Sequence, residues 1–128
     1  MTNRRRTERP HLDAARAALE EASRAAPGEA VGPLSRARGL LDAALDEAMA
    51  EALLAGASMR SVADEAGVAP NTVPPRLART EALGAYANRE GRVSAEGVAR
   101  ARYDRERGTP PPAARPSVEP LRFRARRS

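Results

Sequence analysis

The chain has 128 residues, room for one small domain, and carries 22 basic residues against 17 acids for a net charge of +5. It has no cysteine, which excludes disulfides, thiolate nucleophiles and zinc–thiolate sites. No run approaches the ~18 apolar residues of a membrane span, and the basic start lacks the apolar stretch of a secretory signal, so a cytoplasmic location is expected.

The charge is unevenly placed. Residues 1–10 hold four arginines and one glutamate, and residues 108–128 five arginines and one glutamate, while 11–107 holds thirteen arginines against fifteen acids. A near-neutral body with two basic ends suits a polyanionic partner, of which double-stranded DNA is the commonest. Every basic residue is arginine and alanine is abundant, as in proteins from GC-rich bacterial genomes.

In chain order, residues 1–10 read as a disordered basic arm. The first helix is predicted over 11–26, with Leu12, Ala15, Leu19 and Ala22 on one stripe and Pro27-Gly28 as its stop. The second and longest is predicted over 34–55, with Pro33 in its first turn and Gly56 at its C-terminal cap. Leu34, Ala37, Leu41, Ala44, Leu45, Ala48 and Ala52 form its stripe, widened by Leu40, Met49, Leu53 and Leu54. A helix apolar on more than one side packs on a partner as well as a core, so a homodimer through helix 34–55 is a candidate assembly.

A third helix is predicted over 58–66, capped by Ser58 and ended by Gly67, and a further helical run over 76–88. The last helix is predicted over 95–107, capped by Ser94, with Val98, Ala101 and the stem of Arg102 facing inward. From Gly108 the chain reads as a Pro/Arg-rich disordered tail. With no strand signal, the fold class is all-α: a small bundle of four to five helices flanked by basic arms.

The stretch SMRSVADEAGVAPNTVPPRLAR, residues 58–79, has the spacing of two helices crossing at a tight turn. Ala63 must be small where the second helix crosses it, and Gly67 supplies the positive φ of the turn. Val68 plugs the turn into the core, and Val73 and Leu77 face the first helix, with Val62 and Ala66 completing the centre. Over residues 57–80 the segment resembles the helix-turn-helix of bacterial DNA-binding regulators. In that family the second helix enters the major groove and its first turns meet base edges. The resemblance implies DNA-contacting roles for Arg60, Asn71, Thr72, Arg76 and Arg79. It also implies a site-occupancy regulator of transcription.

Pro74 and Pro75 depart from the pattern. In the second turn of a helix begun at Pro70, each would cost ~3 kcal/mol. The favourable solution makes 70–73 a turn and places both prolines in the first turn of a helix over 75–87, where N–H groups are unpaired anyway. Phosphate contacts from Arg4, Arg5, Arg6, Arg122, Arg124, Arg126 and Arg127 would then supply most of the affinity. The same helical pair also occurs as plain core packing. On that reading the chain is an interaction or accessory protein of a plasmid or mobile element. Duplex reading through the helix over 75–87 requires Arg76 and Arg79 to be held out to the nucleic acid; burying them or seating them against the acids of the long helix would remove the case for it.

Asp42, Asp46, Glu47 and Glu51 make an acidic ribbon on that helix, expected to be a solvated face turned away from a duplex. His11 is the only imidazole, so no metal site and no cofactor is expected. Neither a nucleophile–base pair nor a glycine-rich phosphate loop is legible, and an enzyme is not expected.

Overall fold

The structure is a computed structural model and describes residues 9–113. The described residues form five α-helices and no strand: α1 Pro10–Arg24, α2 Val31–Leu54, α3 Met59–Ala66, α4 Val73–Leu77 and α5 Ala95–Arg107. Short 3₁₀ turns lie at Pro27–Glu29, Pro70–Thr72 and Gly84–Tyr86. No described helix is long and apolar enough to cross a membrane.

The helix ends follow local chemistry. Ser58 Oγ accepts the backbone N–H of Ser61 at 3.0 Å, and Ser94 Oγ that of Gly97 at 3.2 Å, each satisfying a donor the helix cannot. Gly67 adopts φ +74°, which lets Val68 N–H close back on the Ala63 carbonyl at 3.0 Å. α2 starts at Val31, three residues before the predicted start, and Pro33 is buried within its first turn.

α2 is the spine. Its N-terminal half packs against α1 as an antiparallel hairpin, and α3, α4 and α5 all pack on it. The hairpin seam is built from alanine: Ala15 and Ala18 of α1 and Ala37 of α2 are buried. Leu12, Leu19, Leu34 and Leu41, expected in the core, are instead exposed. Small residues let the two backbones approach closely, and the leucines one position round the helix are left on the flank.

The main core gathers Met49, Ala50, Leu53 and Leu54 of α2, Val62 and Ala63 of α3, Val73 and Leu77 of α4, and Val98 and Ala101 of α5. Leu83 and Val93, from the segment between α4 and α5, complete it with no exposed surface. Arg102, expected to lay its stem inward, is exposed. The body also runs past 107, since Thr109 and Pro111 line a shallow groove with Leu54, Tyr86 and Ala101.

The predicted helix over 75–87 stops at Leu77. Thr80 ends it, because its hydroxyl donates to the Leu77 carbonyl at 2.6 Å and accepts Leu83 N–H at 3.1 Å, closing a tight turn in place of another helical one. Val93 N–H then donates to the Pro74 carbonyl at 3.0 Å, tying the return segment to the start of α4.

Tyr86 Oη donates to Asp104 Oδ2 at 2.8 Å and ties the last 3₁₀ turn to α5. Burial pushes the Tyr86 phenol above its ordinary range, and the hydrogen bond and charge of Asp104 push it the same way. The neutral phenol is therefore favoured by the fold. That share of stability is complete below the ordinary tyrosine range and is lost as pH rises through the higher folded-state value. Tyr86→Phe should cost about 1 kcal/mol at neutral pH and flatten the fall in melting temperature above pH ~10, read by thermal melts across alkaline pH.

Two glycines in helices should respond oppositely to alanine. A Cβ at Gly97 would lie 3.0 Å from the Tyr86 carbonyl oxygen, a backbone atom that cannot swing aside, whereas one at Gly39 meets nothing within 4 Å. Gly39→Ala should stabilise by about 1 kcal/mol through helix propensity, and Gly97→Ala should destabilise by about 1 kcal/mol despite it, both measured by urea unfolding.

Candidate functional site

α3, the turn at Gly67 and α4 carry Arg60, Asn71, Thr72 and Arg76, and Arg79 follows α4, with the Pro70–Thr72 turn at the end where α3 gives way to α4. Ala63, Val73 and Leu77 are fully buried, as expected, and Val62 joins them in the core. After Gly67 the chain turns through Pro70–Thr72, and Thr72 Oγ1 donates to the Ala69 carbonyl at 2.7 Å. Pro74 and Pro75 occupy the second and third positions of α4, within the first turn, where their missing N–H groups cost nothing. The helix that follows has only five residues.

Arg60, Asn71 and Thr72 are exposed. Arg76 and Arg79 face elsewhere. Arg76 Nε donates to Asp46 Oδ1 at 2.6 Å, and its Nη2 lies 3.6 Å from Asp42 Oδ1. Arg79 Nη2 donates to Asp46 Oδ2 at 3.2 Å. The Arg76 side chain is 18% exposed and that of Asp46 8%, while Arg79 keeps 67% of its surface. Arg76 is thus held inside the protein, and Arg79 is tethered at its tip.

The acidic ribbon is corrected accordingly. Asp46 is buried rather than solvated, and the ribbon takes in its own chain's cations: Asp42 and Asp46 hold α4, Glu47 accepts the Glu81 N–H at 3.4 Å, and Glu51 pairs with Arg105 at 3.2 Å. An ionised carboxylate leaves water only if its lone pairs are met, and two guanidinium groups meet those of Asp46. His11 is half-buried and lines a cleft with Asp42, Asp46, Glu47 and Arg79. Among the described residues no cluster of three or more His, Cys, Asp or Glu side chains is placed to hold a metal ion.

The sequence reading overlooked a second contributor to this end. Asn88 N–H donates to the Arg92 carbonyl at 2.8 Å, and Asn88 Oδ1 accepts the N–H groups of Glu90 and Arg92 at 3.0 Å each, so residues 88–92 close a compact loop. Arg92 Nη2 donates to the Asn71 carbonyl at 3.2 Å, which seats the loop beside the turn, and Arg89 is exposed on it. The Asn–Arg–Glu–Gly run was the available signal, since asparagine and glycine three apart favour such a turn. Arg4, Arg5, Arg6, Arg122, Arg124, Arg126 and Arg127 lie outside the described residues.

Comparison with protein-family models, with curated proteins and with solved structures yields no match to this chain.

Arg76 should behave as a structural residue. Arg76→Ala strips a buried carboxylate of its shortest partner and should cost about 2 kcal/mol of unfolding free energy. Arg76→Ala combined with Asp46→Leu should recover part of that loss, because no uncompensated charge remains, and a double-mutant cycle by denaturant unfolding measures the recovery.

Proposed function

We propose that this chain is a non-enzymatic DNA-binding protein of helix-turn-helix type, a cytoplasmic bacterial regulator acting by site occupancy, whose affinity comes from charge more than from base reading. The observation that supports it is that Ala63, Val73 and Leu77 share one core on either side of the left-handed Gly67 turn, with Arg60, Asn71 and Thr72 left exposed. Arg89 and Arg92 add two guanidinium groups beside them. With Arg76 committed to Asp46, the second helix offers a duplex little beyond its leading turn. Phosphates are then met by Arg60, Arg89 and the arginine-rich ends, which give strong salt dependence and little sequence discrimination.

A second reading has its own support. The Arg76–Asp46 lock is what a pure scaffold would show, and it favours an accessory protein of a plasmid or mobile element that docks other proteins. One experiment separates the two. Fluorescence anisotropy on a random duplex should show affinity falling at least about 100-fold on a fourfold rise in salt, the slope of roughly four phosphate contacts. Arg60→Ala with Arg89→Ala should weaken binding about tenfold on top of that. Binding that ignores both the salt and these substitutions, or no binding at all, rejects the DNA reading in favour of protein docking.

A further inference from the structure

The α1–α2 hairpin has two unlike flanks. One is closed by charge, where Arg36 Nη2 meets Glu21 Oε1 at 2.7 Å. The other is lined by leucine. Leu12 and Leu19 of α1 are 37% and 44% exposed, Leu34 and Leu41 of α2 are 50% and 44% exposed, and Val31 adds 72% of its surface at the end of the row. On α1 these leucines lie to one side of buried Ala15 and Ala18, with Glu21 on the other. On α2 they lie to one side of buried Ala37, with Arg36 on the other. Antiparallel packing sets like flanks together, so the four leucines share one face.

The face carries the same pattern on both helices. Leu12, Arg16, Leu19 and Glu20 recur as Leu34, Arg38, Leu41 and Asp42 with identical spacing. Leucines seven apart on helices of opposite direction make the face approximately symmetric within one chain. Such a face matches itself under a two-fold axis, the geometry of a four-helix bundle built from two hairpins. Arg16 and Arg38 are exposed and have no ion-pair partner among the described residues. Each sits one helical turn from an acid on its own helix, Glu20 and Asp42, whose contacts within the chain are the long ones to Arg24 at 3.9 Å and to Arg76 at 3.6 Å.

The area is sufficient. The five side chains leave on the order of 300–400 Å² of apolar surface bare on each copy, the size of the largest patch on an ordinary monomer, where such patches are often functional. With the aliphatic stems of the two arginines and the polar rim, two copies reach roughly 1,200 Å², the lower bound of specific interfaces. We infer that this leucine face of the α1–α2 hairpin is the seat of a second copy of the chain, giving a two-fold dimer closed by a four-helix bundle. The inference does not depend on nucleic-acid binding, and its test contains no DNA.

Sedimentation equilibrium of the full chain should return twice the 13.6 kDa chain mass at micromolar and higher concentration. Leu19→Glu with Leu41→Glu should return the single-chain mass with unchanged far-UV helicity, a loosening of at least about 100-fold. Arg16→Glu with Arg38→Glu alters only exposed positions and should also dissociate the dimer, which keeps the test decisive if the leucine variant fails to fold. A full chain that stays monomeric overturns the inference, whether its face is bare or covered by one of its own ends. So does a dimer that survives Arg16→Glu with Arg38→Glu, or one that survives the leucine changes in a folded protein, since its interface would then lie elsewhere.

Discussion

A carboxylate taken out of water on the middle of α2 decides where α4 lies. Asp46 is 5% exposed, and a charge so placed must be met by cations or it disfavours the fold. Arg76 and Arg79, three residues apart at the end of α4, meet it from one side. α4 has only five residues and could not hold its position by its own helix-forming tendency. It is held by Val73 and Leu77 underneath, by the Pro74 carbonyl bonded to Val93, and by the two arginines reaching across to α2. The bond therefore acts on function by setting which side chains of α4 remain for a partner.

The double proline and the short helix belong to the same solution. Prolines at the second and third helical positions pre-set the backbone angle of the first turn without removing a bond the helix needs. They fix a start, and Thr80 fixes a stop soon after. The segment between them is a rigid corner more than a rod. A corner can present its leading turn and a neighbouring loop, and here these carry Asn71, Thr72, Arg89 and Arg92. It cannot lay several turns along a groove, which is why electrostatic attachment suits this geometry better than extended base reading.

What the sequence made legible is what local chemistry dictates. Ser58 and Ser94 cap because a hydroxyl before a helical run has a donor within reach, and Gly67 turns because it alone lacks the Cβ that a positive φ penalises. The all-helical class and the burial of Ala63 followed from the same patterns. The failures are tertiary. Periodicity put Leu12, Leu19, Leu34 and Leu41 in the core, but Ala15 and Ala37 of the same stripes, with Ala18, pack the hairpin more closely and leave the leucines on its flank. The acids of α2 read as a solvated ribbon because nothing local reveals that arginines thirty residues later fold back over them. Leu83 and Val93 looked like a run-on helix and a loop, and became core because the chain doubles back on α4.

α2 reconciles these demands by dividing its length. Twenty-four residues span about 36 Å, more than one small core can cover. Its C-terminal half gives Met49, Ala50 and Leu53 to α3, α4 and α5, and its N-terminal half gives Ala37 to α1. Asp46 sits where these tasks meet and turns toward Arg76 of α4 and Arg79 just beyond it. Among the described residues, that leaves the leucine side of the N-terminal half without an intramolecular task. Alanine-built seams bury little area for each residue ordered, so a chain with one phenylalanine and no tryptophan gains little from its own interior. Leucines left bare by the described residues are costly for such a marginal fold unless something covers them. The least demanding cover, by symmetry and by composition, is the same face of another copy.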